Sequence, residues 1–211
     1  KRIVPLAKAV QKIGMTLAPN LGGRVDRDLL EKNISQHYNS LALLHCTDVR
    51  DLVTGTVNGI DLRAFNSTYT DQSGKKCSLM LVEILLENQD IPNFFLSDQA
   101  RYTSTYNGIP ELTANLEKAP EFSENYILFS DDKNAATDFF NPELIQFFNK
   151  NSNQVVEVPG NKLVVIIHQL VPALEYSGAL EMAVKIVKAC TFSNNTNLAQ
   201  PLTVSRNMPI S

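Results

Sequence analysis

Val49-Arg50-Asp51-Leu52-Val53-Thr54-Gly55-Thr56-Val57-Asn58-Gly59-Ile60-Asp61-Leu62 carries the reading on which the fold turns. Apolar side chains tend to alternate through it and β-branched residues are frequent, the pattern of a strand whose successive side chains point to opposite faces. Asn58-Gly59 falls in its middle. A two-residue type I′ turn needs positive φ at both central positions, and Asn followed by Gly tolerates this best. The same period continues to Leu86, interrupted at Ser73-Gly74, so three strands near 49–57, 60–70 and 76–86 are expected to form an antiparallel meander.

Working outward, Gln154 to Val158 and Lys162 to His168 flank Pro159-Gly160-Asn161, a hairpin with a three-residue loop. Leu163 to Ile167 is apolar enough to be a central strand. Ile91-Pro92-Asn93-Phe94-Phe95-Leu96 reads as a short edge strand, because proline cannot donate to a ladder. The polar stretch 98–108 reads as a loop, and Tyr126 to Phe129 as a further strand. Asp131 or Asp132 can cap one helix and Asn141 a second, with Pro142 in its first turn and Phe139, Phe140, Leu144, Ile145 and Phe148 as core face. Pro172 opens a last helix with the stripe Tyr176, Leu180, Ala183, Val187 and Cys190, while Glu181 and Lys185 pair on the other side. Residues 193–211 read as an extended tail.

At the other end, Ile3, Leu6, Val10, Ile13 and Leu17 recur at spacings of three and four, predicting an amphipathic helix that Pro19 to Gly23 terminates. A second, more polar helix is expected over 26–40. The whole predicts an α+β fold, a mainly antiparallel sheet built from hairpins and packed against N-terminal, central and C-terminal amphipathic helices. It is read as a single domain over 1–211 with a helical segment at 1–40.

The chain has 211 residues, 44% hydrophobic and 19% charged, with net charge −3. That composition fits neither a disordered chain nor a nucleic-acid binder. Its charge is unevenly spread: residues 1–27 carry Lys1, Arg2, Lys8, Lys12, Arg24 and Arg27 against Asp26 alone. The plain reading is a solvated helix face; the sharper one is a juxtamembrane segment drawn to anionic headgroups. No run is long and apolar enough to span a bilayer. Because the chain begins at Lys1, an upstream segment is expected to have been removed, with a signal and an anchor as the candidates for it.

Residues that could carry chemistry are few. Cys46, Cys77 and Cys190 are odd in number and widely spaced, which fits neither a disulfide framework nor a zinc site and favours a reducing compartment. Ser73-Gly74-Lys75-Lys76 resembles the end of a phosphate-binding loop but lacks the earlier glycine, so it reads as a turn. His37, His45 and His168 are isolated from one another, and in the densest cluster, His45-Cys46 with Asp48, strand neighbours would face opposite ways. No metal, cofactor or catalytic residue is therefore assigned. Cys77 and Cys190 are expected to be core residues. His168, at the end of the most apolar strand, is the histidine placed where a site residue often stands, against the reading of a hydrogen-bonded structural histidine. Arg101, Tyr102 and Tyr106 would line a groove if their polar loop binds a ligand.

Several segments together resemble a known group: Val53 to Ile60, Ile91 to Leu96, Phe122-Ser123-Glu124-Asn125-Tyr126 leading into Ser130-Asp131-Asp132, and Asn141-Pro142-Glu143-Leu144. Their order over residues 45–168 is similar to bacterial membrane-anchored proteins of domain-of-unknown-function family 3137, in which a soluble α+β domain follows N-terminal transmembrane helices. The resemblance implies a non-catalytic binding or scaffold domain at the cytoplasmic face of a membrane, with the membrane surface or a membrane-protein complex as partner. Two other classes stay open: a hydrolase with a sequence-dispersed triad that includes His168, and a secreted or periplasmic factor.

Overall fold

A computed structural model describes residues 3–17, 48–71, 73–86, 90–105, 114 and 116–198. Its strands are β1 (Met15–Leu17), β2 (Asp48–Val57), β3 (Ile60–Thr70), β4 (Lys76–Leu85), β5 (Phe94–Asp98), β6 (Tyr126–Phe129), β7 (Val155–Val158) and β8 (Lys162–Ile167). They join in one sheet, ordered β1-β2-β3-β4-β8-β7-β5-β6, with every neighbouring pair antiparallel. Helices are α1 (Ile3–Gln11), α2 (Gln99–Thr105), α3 (Pro120–Asn125), α4 (Lys133–Phe139), α5 (Pro142–Lys150) and α6 (Tyr176–Leu198). The protein is thus α+β, as its sequence predicts.

The meander forms where the turn chemistry puts it. Asn58 and Gly59 have φ of 51° and 79° and join β2 to β3. Between β3 and β4, the Asp71 carboxylate accepts from the Ser73 and Lys75 backbone N–H groups at 2.9 and 3.0 Å, so Ser73-Gly74-Lys75 is a tight turn. β8 lies between β4 and β7, and Leu163 to Ile166 are buried on both faces. A strand covered on both sides needs no polar alternation, which explains its continuous apolar run.

Side chains on one face of the sheet meet α1, α3, α4, α5 and α6 in the larger core, which contains Val53, Met80, Val82, Leu96, Val165, Phe148 and Leu180. Alternate residues of the same strands, Phe65, Tyr69, Leu79, Leu81, Phe95, Val164 and Ile166, form a second cluster on the other face, with Tyr102 of α2 packed against it. The caps fall where expected: Asp132 accepts from Ala135 N–H at 3.0 Å, and Asn141 from Leu144 N–H at 2.9 Å. All five residues of the C-terminal stripe are buried, and Glu181 and Lys185 are exposed.

Five expectations are corrected. The first helix stops at Gln11, and Met15–Leu17 turns back as a strand against Val53–Gly55; Leu17 sits in β1, and the helical spacing crosses a turn at Gly14. β5 is not an edge strand but lies between β7 and β6, because Pro92 precedes the ladder and its missing donor costs nothing there. The edges among the described strands are β1 and β6. Residues 99–105 are helical, with Asp98 as the cap: its Oδ1 accepts from Arg101 N–H at 2.8 Å. Pro172 opens a short 3₁₀ turn, Ala173–Glu175, and the helix proper begins at Tyr176. That helix runs on to Leu198 rather than giving way at 193, since no Gly or Pro follows Gly178 in it and each added residue gains a backbone bond. The expected helix over 26–40 and the rest of the tail lie outside the described residues.

Candidate functional site

The sheet brings together two features that lie apart in the sequence. β3 and β4 pair Tyr69 with Cys77, and His168 follows β8 on the same side of the molecule as α2. His168 Nδ1 lies 3.3 Å from Tyr69 Oη, the two rings standing edge-on at 5.9 Å and 86°. Arg101 reaches this cluster from α2 while its Nε donates to Asp98 Oδ2 at 3.3 Å. Burial, reinforced by the Arg101 charge and opposed by Asp98, lowers the His168 imidazole to about 4. Burial, followed by the nearby Cys77 thiol, raises the Tyr69 phenol to about 12. Both rings are neutral at pH 7.

An efficient general base titrates near the working pH, and an imidazole that stays neutral down to pH 4 is a weak one. The Cys77 thiol donates to Asp71 Oδ2 at 3.6 Å. Cys190 is fully buried and burial pushes its thiol up to about 12, far from the thiolate that attack requires. Tyr102, half-buried, packs on Phe129 with ring centroids 5.3 Å apart. Tyr106, His37, His45 and Cys46 lie outside the described residues, and Asp48 opens β2. Among the described residues no group of three or more His, Cys, Asp or Glu is placed to hold a metal ion.

The His168 shift makes a pH prediction. The unfolded chain takes up a proton at its histidine near pH 6.5, while the folded protein resists until about 4. Stability conferred by a neutral His168 is therefore full above 6.5 and is lost as pH falls toward 4, by up to about 3 kcal/mol. Urea midpoints between pH 7.5 and 4.5 should fall more steeply for the native sequence than for His168→Gln; parallel curves would contradict the buried neutral imidazole.

Sequence reasoning missed a buried polar group on the opposite face. Asn66, 2% exposed in β3, donates from Nδ2 to Asp51 Oδ2 at 2.9 Å and to Tyr176 Oη at 2.7 Å. Asp51 stands at the irregularity between Arg50 and Val53 with φ of 56°, an uncommon conformation for a non-glycine residue. Asn66 Oδ1 has no hydrogen-bond partner among the described residues. The available signals were an Asn amid an apolar strand and a Tyr on an apolar helical stripe. Together they tie the start of α6 to the bulge in β2. Tyr176→Phe should cost about 1–2 kcal/mol in a urea melt, since it removes one acceptor from a buried amide; an unchanged midpoint would mean the bond contributes nothing.

A charged set sits toward one end of the sheet, where Glu83, 8% exposed, meets Arg63 at 2.7 Å and Lys162 at 3.7 Å. Burial raises the Glu83 carboxyl, and Lys162 opposes that rise. A groove of about 1100 Å³ runs beside α4 and α5, its walls mixing Leu116, Phe140 and Ile145 with Lys118, Lys133 and Asp138. No helix among the described residues is long and apolar enough to cross a membrane.

No protein-family model matches this sequence, and no curated protein matches it. Among solved structures, the chain is similar to the crystal structure of the mycobacterial trehalose monomycolate transport factor A. The TM-score is 0.54 at 10% identity, over 96% of this chain and 99% of that one. At that identity the likeness is one of fold, and it runs nearly end to end in both.

Proposed function

We propose that this chain is a non-catalytic binding or scaffold domain that serves a membrane-associated complex in a bacterium. The observation that carries the reading is the end-to-end fold likeness to a protein named as a transport factor. A surplus of basic residues in the first 27 positions supports it, as does the placement of His168 and Cys190 in structural rather than reactive settings. The segments similar to domain-of-unknown-function family 3137 extend the proposal to the cytoplasmic face of the membrane, held by an anchor outside this chain.

The test is fractionation of source cells, following the native protein with an antibody to this domain and probing protease access from each side. Recovery in membranes, protected in intact cells and spheroplasts, is the expected result. Recovery in the cytosol would refute the membrane association, and cleavage in intact cells or spheroplasts would move the protein to the outer face.

A further inference from the structure

Between β8 and α6 the chain makes a short connection whose side chains divide sharply. Val171 is 2% exposed and Tyr176 fully buried, so both ends of the connection are pinned in the protein. Leu170 and Leu174, in the same few residues, are 51% and 84% exposed. Pro172, with φ of −59°, and the 3₁₀ turn it opens hold this geometry, the turn being closed by Glu175 N–H donating to Pro172 C=O at 2.9 Å. Single exposed leucines are ordinary on protein surfaces. Two on one short connection, with Val171 and Tyr176 already committed to the core, form an apolar projection that the core cannot absorb.

The turn packs directly against α1. Leu6 and Val10 of that helix are buried, while Lys8 and Lys12 are exposed. The sequence places Lys1-Arg2 just ahead of the helix and has no acidic residue before Asp26. On the turn itself Glu175 is the one acid. Apolar side chains projecting beside a cationic helix form the combination that anionic bilayers attract: the lysines contribute through the surface potential, and the leucines enter the boundary between headgroups and acyl chains.

We infer that Leu170 and Leu174, together with Lys8 of the adjoining helix and Lys12 in the turn just after it, form the surface by which this chain rests on an anionic lipid bilayer. The inference builds on the membrane association proposed above and specifies which part of the molecule faces the lipid. Charge complementarity selects lipid over a protein groove, because the cationic residues lie on, and directly after, the helix that contacts the apolar turn.

The chain contains no tryptophan, so Leu174→Trp introduces a single fluorophore at the more exposed of the two leucines. Its emission should shift to the blue when the 211-residue protein is mixed with vesicles of phosphatidylcholine and phosphatidylglycerol. The shift should weaken as salt is raised and be much smaller with phosphatidylcholine alone. In the same background, Lys8→Gln with Lys12→Gln should reduce partitioning about 25-fold, roughly fivefold for each lysine. All these positions are exposed, and matching circular dichroism and thermal melts establish that the variants fold. Unchanged emission on anionic vesicles overturns the inference, as does a shift of equal size on neutral vesicles that the glutamine variants leave intact. The broader reading fails separately, in fractionation: native protein found in membranes with no shift here retains the scaffold and transfers the contact to a protein partner or anchor.

Discussion

Phe148→Ala should lower the unfolding free energy by about 3–5 kcal/mol, enough to unfold a marginal domain near physiological temperature. Phe148 is fully buried on α5, the point at which the helical layer meets the larger face of the sheet. Its ring stacks on Phe140 at 6.1 Å and 27° and receives the edge of Phe147 at 5.4 Å. Phe140 in turn meets Phe94 of β5, Phe122 of α3 and Phe139 of α4. Removing the ring therefore opens a cavity bordered by several elements, none of which can collapse into it alone. The backbone adds a constraint, because the Phe148 carbonyl accepts from Tyr126 Oη at 2.9 Å and so fixes α5 over β6. A urea melt of the variant beside Leu174→Ala, altered at a residue 84% exposed, gives the comparison. The exposed substitution should stay within about 0.5 kcal/mol of the parent; similar losses in the two would dissolve the aromatic layer as an account of stability.

Gly55→Ala should cost about 2–4 kcal/mol and release the first strand from the sheet. Gly55 pairs with Met15 across β1 and β2, and a Cβ added there would lie 2.8 Å from Met15 Cα and 3.2 Å from the Gly14 carbonyl oxygen. Both obstructions are backbone, so no side-chain rotation relieves them. A φ of 155° adds strain for any residue with a Cβ. Met15 is itself buried in the larger core, so displacing its backbone also loosens packing beneath α1. Amide exchange should speed up at Met15–Leu17 well beyond any change in β8. Gly59→Ala serves as the control: its added Cβ meets no atom within 4 Å, leaving only the cost of the positive φ. Equal stability of the two variants would remove the close approach as the cause.

What could be read from the sequence was whatever depends on neighbours a few positions away. Asn58-Gly59 fixes its turn by local sterics, Asp132 and Asn141 cap helices through bonds to residues three ahead, and both features stand as expected. The same local logic misled where a pattern crossed a boundary: the spacing of Ile3, Leu6, Val10, Ile13 and Leu17 is helical, yet Leu17 belongs to a strand that depends on a distant glycine for room. Strand order is non-local, so nothing in Phe94-Phe95-Leu96 reveals that β6 and β7 flank it. The sequence shows the position of His168 but not its setting, since the burial that lowers its pKa and the Arg101 and Tyr69 side chains near it come from segments distant in sequence. The Asn66–Asp51–Tyr176 group was missed for the same reason, its members being joined only when α6 lies over the bulge.

The place of β8 in the sheet bears on how the protein is made. Translation delivers β2, β3 and β4 as a finished meander, but the partner of β4 is not synthesised until some 80 residues later. At typical elongation rates of about 5–20 residues per second, a nascent chain spends roughly 4–16 seconds with the free border of β4 unsatisfied. That border runs along Met80-Leu81-Val82-Glu83-Ile84-Leu85, a segment apolar but for Glu83 and of the kind that templates aggregation when left open. Expression should therefore respond to chaperone supply and to slow codons between β4 and β8, even in variants whose finished fold is unaltered.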